Sequence, residues 1–235
     1  MNHPHLTAAI IDLDGTMVDT LGDFVAVLQH TLADVGCHPV EMARVNRGFV
    51  EKTVGKGTED LLRRSLAHAW GLPDDAAEVL TAVPGAWRHY ERHYLRFNGQ
   101  HSAVFAGVAE SLKQLQVLGV PLACLTNKPT AFAEQLLEAK GLREHFAHVF
   151  GGDAFERKKP DPLPLLKTCE ALGQSPQHTL MVGDSSNDAQ AARAAGCPVL
   201  LVTYGYNHGQ PIQDVPALAH VDQLNGVDWA ALFRA

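Results

Sequence analysis

Three short apolar runs in this chain stop abruptly at polar residues, and that pattern restricts the fold more than any other feature. Ala8–Ile11 runs into Asp12, Pro121–Leu125 into Thr126-Asn127-Lys128, and Thr179–Val182 into Gly183-Asp184. Runs apolar at every position, rather than at alternate ones, suit strands buried on both faces of a parallel sheet. Pro198–Val202 reads as a fourth strand and Ala147–Phe150 as a less regular fifth. Helical patterns lie between them. Leu112 and Leu115 share a face, as do Phe132, Leu136 and Ala139, and Ala189, Ala192 and Ala195 make a small-residue stripe before Gly196. Strand and helix alternating over short links predict a doubly wound α/β sheet.

The stretch from Met17 to Phe105 breaks the alternation and reads as helices only. Asp19–Val35 closes at Gly36, Thr58–Trp70 closes at Gly71, and Ala76–Phe97 is interrupted at Pro84. Leu62, Leu66, Ala69 and Trp70 fall on one helical face. Thr58 is the expected N-cap, with Glu59 and Asp60 in the first turn. A chain of 235 residues therefore divides into residues 1–16 with 106–235, and a helical module over 17–105. Thr16–Thr20 and Asn98–Gly107 are the expected hinges.

Composition removes several classes of function. A formal net charge of −7 argues against nucleic acid as a partner, because phosphate-backbone binding needs a basic face. No apolar run reaches the roughly 18–20 residues of a membrane helix. The N-terminal run lacks a basic region followed by a signal-length apolar core, so the expectation is a cytoplasmic protein with no membrane partner, monomeric or a homodimer. Cys37, Cys124, Cys169 and Cys197 are scattered and read as free buried thiols. His89 and His93 can share a helix face, but no third ligand stands out, and a solvated helix surface is the expectation.

In open α/β sheets ligands bind beyond the carboxyl ends of the strands, so Asp12, Thr126 and Asp184 should meet in one crevice. Asp12 and Asp14 project to the same side if strand geometry persists, and Gly15 lets the backbone turn closely around a ligand. Two acids there can chelate Mg²⁺ or divide the roles of nucleophile and general acid/base; a solvated acidic turn fits equally. Gly183-Asp184-Ser185-Ser186-Asn187-Asp188 adds two acids where a helix should begin. Taken alone it is a helix cap. Together the two acid pairs would repel unless a cation lies between them, and oxygen donors favour Mg²⁺. Thr126 and Asn127 precede a helix N-terminus suited to a phosphoryl group, and Arg157-Lys158-Lys159-Pro160 brings positive charge.

The order DxDGT, TNK, KKP, GDSSND resembles the haloacid dehalogenase superfamily of phosphotransferases. The four motifs bracket the whole core, and the resemblance implies a Rossmann-like doubly wound parallel sheet with a helical cap inserted after the first motif. It implies Asp12 as nucleophile forming an aspartyl-phosphate, and Asp14 as general acid and then base. Thr126 and Lys159 would bind the phosphoryl group, Lys159 being preferred to Lys158 because the family lysine immediately precedes the proline. Asp12, the Asp14 carbonyl and Asp184 would hold Mg²⁺, with Asp188 in support. Asp14 argues against a true dehalogenase, Gly183-Asp184 against a phosphoglucomutase-type pair, and no cap lysine matches a phosphonatase.

The cap should choose the substrate, a small phosphorylated metabolite. Six basic residues face four acidic ones between Cys37 and Arg64. Thr53-Val54-Gly55-Lys56-Gly57-Thr58 and Thr203-Tyr204-Gly205-Tyr206 resemble segments of phosphoglycolate phosphatases. Lys56 is therefore expected to meet a small carboxylate such as that of 2-phosphoglycolate. The alternatives are a sugar phosphatase acting on a substrate such as N-acetylmuramic acid 6-phosphate, a phosphomutase, and a phospho-receiver switch.

Overall fold

Ala8–Ile11, Leu122–Leu125, Thr179–Gly183 and Val199–Val202 are buried at every position, as strands covered on both faces must be. The computed structural model describes residues 5–233. The chain runs through β1 (Ala8–Ile11) and β2 (Val18–Asp19), then five helices: α1 (Leu21–Asp34), α2 (Pro39–Met42), α3 (Arg47–Thr53), α4 (Thr58–Trp70) and α5 (Ala77–Phe97). It returns through β3 (Ala103–Val104), α6 (Val108–Val117), β4 (Leu122–Leu125), α7 (Thr130–Ala139), β5 (His148–Phe150) and α8 (Leu163–Ala171). The last elements are β6 (Thr179–Gly183), α9 (Ser186–Ala195), β7 (Val199–Val202), β8 (Ala219–Val221) and α10 (Trp229–Leu232).

The main sheet has the order β5-β4-β1-β6-β7-β8, with every neighbouring pair parallel. This is the doubly wound α/β core. From β1 the chain goes to β4 on one side and β6 on the other, so the strand order reverses at β1. The crevice for a ligand therefore opens beyond Ile11. One face of the sheet packs Leu112, Leu136 and Leu180 into a core with Leu13, and the other packs Ile10, Met181 and the alanines of α9.

The helical block has its own apolar core, in which Leu28, Leu62, Val79 and Tyr90 meet Phe132 of α7 and Tyr206 beyond β7. Two expectations for it are corrected. α5 continues through Pro84 rather than breaking there. Pro84 lies on the exposed side, so the carbonyl that loses its partner can face water. Thr58 is the first helical residue and the N-cap is Gly57, without a side-chain cap.

The two connections are tied down. β2 and β3 pair antiparallel. Asp23, fully buried, accepts from Gly99 N at 2.8 Å and His101 N at 2.6 Å. Lys140 Nζ donates to Gly99 O and Ser102 O at 2.7 and 2.6 Å.

Candidate active site

The alternation of β1 persists for three residues beyond its end. Leu13 enters the sheet core, while Asp12 and Asp14 on either side of it face a cavity between the sheet and the helical block. Its walls come from both parts of the chain, with Phe24, Leu61 and Tyr94 facing Thr126, Phe132 and Asp184.

Lys159 organises the floor. Its ammonium lies 2.9 Å from Asp12 Oδ1 and 2.7 Å from Asp188 Oδ1, and donates to Leu125 O at 2.8 Å. Burial alone would depress this ammonium, but Asp12 and Asp188 outweigh it and hold its pKa above the usual lysine value. The adjacent Lys158 is exposed. Burial, opposed by Lys159 and reinforced by Asp188, pushes Asp12 up to about 7. Asp184 is raised well above the carboxylate range by burial, Asp188 and Asp12.

Asp12, Asp184 and Asp188 each offer an oxygen within 4.8 Å of the others. Three buried carboxylates against one ammonium leave two formal negative charges, and the donors are hard oxygens, so the cluster fits a divalent cation such as Mg²⁺. Asp184 is aimed by neighbours. Its Oδ1 accepts from Thr16 Oγ1 at 3.2 Å and its Oδ2 from Tyr206 N at 2.6 Å. A Cβ on Gly15 or Gly205 would overlap this carboxylate, so the two glycines form its cradle. Gly15 thus makes room for Asp184, with φ +84° in its turn. Asp188 spends Oδ2 on Asp184 N, Ser185 N and Ser185 Oγ, at 3.3, 3.1 and 2.7 Å, which fixes the start of α9.

Asp14 is paired with a different lysine. Lys128 Nζ donates to its two oxygens at 2.7 and 2.9 Å. Thr126 is buried at the end of β4, where its Oγ1 accepts from Lys128 N at 3.2 Å. Asn127 Nδ2 donates to Gly55 O at 2.9 Å and Lys159 O at 2.8 Å, joining the Gly55 loop of the helical block to the lysine loop. Asn187 Nδ2 donates to the same Gly55 carbonyl at 3.1 Å.

Lys56 does not join the site. It is exposed and lies outside the cavity walls, although Gly55 and Gly57 beside it line them. The basic excess around it is spent elsewhere. Arg47 pairs with Asp19, Arg63 with Asp60 and Asp74, and Arg44 donates to Ala69 O. His89 and His93 both face Asp34 Oδ2, at 3.1 and 2.7 Å, and Arg92 shares that oxygen. Lys128 lies in the Thr126-Asn127-Lys128 run but has no role on sequence grounds, and neither do Tyr90, Tyr94 or Tyr206. The Tyr206 hydroxyl donates to Asp19 Oδ1 at 2.6 Å and accepts from Thr20 N at 3.1 Å.

Residues 9–202 match the haloacid dehalogenase-like hydrolase family. This protein belongs to that family. A phosphoglycolate phosphatase of Thiobacillus denitrificans is 38% identical over 221 residues, covering 93% of this chain and 92% of that protein. One from Escherichia coli is 38% identical over 213 residues, covering 86% and 82%. The crystal structure of a protein described as a predicted phosphoglycolate phosphatase from Haemophilus somnus superposes with a TM-score of 0.84 at 29% identity, covering 94% and 96%. No helix among the described residues is long and apolar enough to cross a membrane.

Proposed function

We propose that the protein hydrolyses a small phosphomonoester, 2-phosphoglycolate, to glycolate and phosphate through an aspartyl-phosphate on Asp12. The observation that carries this reading is the placement of Asp12 beside Lys159 and within the Asp184–Asp188 cluster, in the cavity between the sheet and the helical block. Relatives 38% identical to this chain carry the name phosphoglycolate phosphatase, which supports the choice of substrate. Residues 17–105 act as the cap over a core of 1–16 and 106–235, and the four free cysteines fit a reducing cytoplasm.

Asp12, Asp184 and the Asp14 carbonyl would hold Mg²⁺, with Asp188 orienting Asp184 and Lys159. When bound, the cation offsets the negative charge of the phosphoryl oxygens. A carboxylate oxygen of Asp12 attacks phosphorus, and the bond to the ester oxygen breaks. Asp14 supplies the proton that the departing alkoxide needs. Water then attacks the acyl phosphate at phosphorus, Asp14 takes its proton, and Asp12 is released with inorganic phosphate. Lys159 and Thr126 answer the charge on the transferring group, work that is mainly electrostatic and positional. Closing the cap excludes competing water.

The test is Mg²⁺-dependent phosphate release from a panel containing 2-phosphoglycolate, sugar 6-phosphates, pyrophosphate and a nucleotide, with Asp12→Asn as the blank. A lead of about 100-fold in kcat/KM for 2-phosphoglycolate, about 2.7 kcal/mol, is expected. A leading sugar phosphate overturns the substrate and keeps the chemistry. Activity surviving in Asp12→Asn overturns the chemistry.

A further inference from the structure

Lys128 and Lys159 are the cations that line the cavity among the described residues. They are placed very differently. Lys159 has three acceptors around its ammonium, one for each proton it can donate. Lys128 has one partner, the Asp14 carboxylate. Its side chain is 2% exposed, and the rest of its ammonium faces aromatic rings, 4.5 Å from the Phe24 centroid and 4.9 Å from that of Tyr94. Both rings belong to the helical block and both line the cavity.

Beyond the Asp14 carboxylate, two tyrosine hydroxyls of the cavity wall offer further donors. The hydroxyls of Tyr90 and Tyr94 are buried, line the same cavity and have no hydrogen-bond partner among the described residues. Burial, and then the nearby Asp14 charge, push both phenols well above their ordinary pKa, so they stay protonated. A buried ammonium with a donor to spare and two buried unpaired hydroxyls are each costly unless a ligand satisfies them. A carboxylate is acceptor-only and can take several donors at once.

Resting on the phosphatase reading above, we infer that Lys128, together with the Tyr94 hydroxyl, anchors a carboxylate at the leaving-group end of the substrate. This is the role that the exposed Lys56 does not fill. Phosphoryl and carboxylate ends would then be held by separate lysines, Lys159 on the floor and Lys128 under the cap. An ester lacking the carboxylate leaves these buried donors unpaired, so discrimination is built in.

The test compares wild type, Lys128→Met and Tyr94→Phe on two matched pairs: 2-phosphoglycolate with 2-hydroxyethyl phosphate, and 3-phosphoglycerate with glycerol 3-phosphate. The readout is the ratio of kcat/KM within each pair, which cancels any loss that Lys128→Met causes through Asp14. Wild type should favour a carboxylated ester. Lys128→Met should cut that preference by about 30-fold, and Tyr94→Phe by about fivefold. If Lys128→Met lowers both members of a pair equally, Lys128 only positions Asp14; the anchor is overturned while the phosphatase reading stands. If 3-phosphoglycerate leads and its advantage vanishes in the variant, the anchor stands and 2-phosphoglycolate falls as the substrate. A wild-type preference for the esters without a carboxylate overturns both. Should Lys128→Met fail to fold by circular dichroism, Tyr94→Phe decides, and an unchanged preference there overturns the anchor.

Discussion

The side-chain amide of Asn127 donates to the carbonyl of Gly55 at 2.9 Å, so the residue after Thr126 on the sheet holds the loop that leads into α4. Asn187 grips the same carbonyl from the start of α9. One backbone oxygen of the helical block is thus shared by two loops that follow different strands. Each bond is worth about 1 kcal/mol net, and its loss should weaken the closed arrangement. Asn187→Ala is expected to lower kcat/KM about fivefold, with little change in Tm. Asn127→Ala should do more, because Asn127 also holds Lys159 O. Steady-state kinetics beside thermal melts check this, and an unchanged kcat/KM in both variants would refute the latch.

Gly205 gives a way to disturb the acid cluster without touching an acid. A Cβ there would overlap Asp184 and crowd Gly15 O. The carboxylate would have to turn away from Tyr206 N and Thr16 Oγ1, which now aim it. Gly205→Ala should therefore raise the Mg²⁺ concentration for half-maximal activity by at least about tenfold, as loss of an orienting partner does at metal sites. A Mg²⁺ titration of phosphate release measures it, and an unshifted midpoint would remove Asp184 from the metal's ligands.

Much of this was legible in the sequence. Apolar runs ending at Asp12, Thr126 and Asp184 mark strands buried on both faces, and the sheet brings their ends together because parallel strands share one carboxyl edge. Lys159 could be told from Lys158 only through the family resemblance; burial now separates them. The direction of a side chain in a turn has no periodic signature, so the Asp14–Lys128 pair was invisible. The same holds for Lys56, whose neighbours line the cavity while it faces water. Pro84 misled because a break signal depends on which side of the helix meets solvent. α2 and α3 are too short to display a period, and the Thr203–Tyr206 segment, marked by resemblance alone, does not reveal the Tyr206–Asp19 contact between residues far apart in the chain.

The buried acids make stability depend on pH in a stated direction. Asp12 rises from 3.8 to about 7 in the folded protein, and Asp184 is raised as well. Between those values the folded state binds more protons than the unfolded one, so stability falls as pH rises through the window. The slope is at most about 1.4 kcal/mol per pH unit for each group. With a chelator present, Tm should fall from pH 5 to pH 7. Mg²⁺ favours the ionised acids and should flatten the curve. A chelated Tm that rises across this range would contradict the burial cost assigned to Asp12.

Lys158 and Lys159 stand side by side in the chain and should behave as opposites. Lys159 separates two buried carboxylates, and its removal leaves Asp12 and Asp188 facing one another without a cation. Breaking a buried charge cluster on one side costs about 3–5 kcal/mol, so metal-free Lys159→Ala should melt far below wild type. Mg²⁺ should recover part of that loss, because it supplies positive charge to the same acids. Activity should not follow, since Lys159 also holds Leu125 O and with it the loop carrying Thr126. Lys158 is exposed, and Lys158→Ala should stay within about 0.5 kcal/mol of wild type. Melts of both variants with and without Mg²⁺ separate the cases. Equal stability of the two would mean that the Asp12–Lys159–Asp188 cluster does not exist in solution.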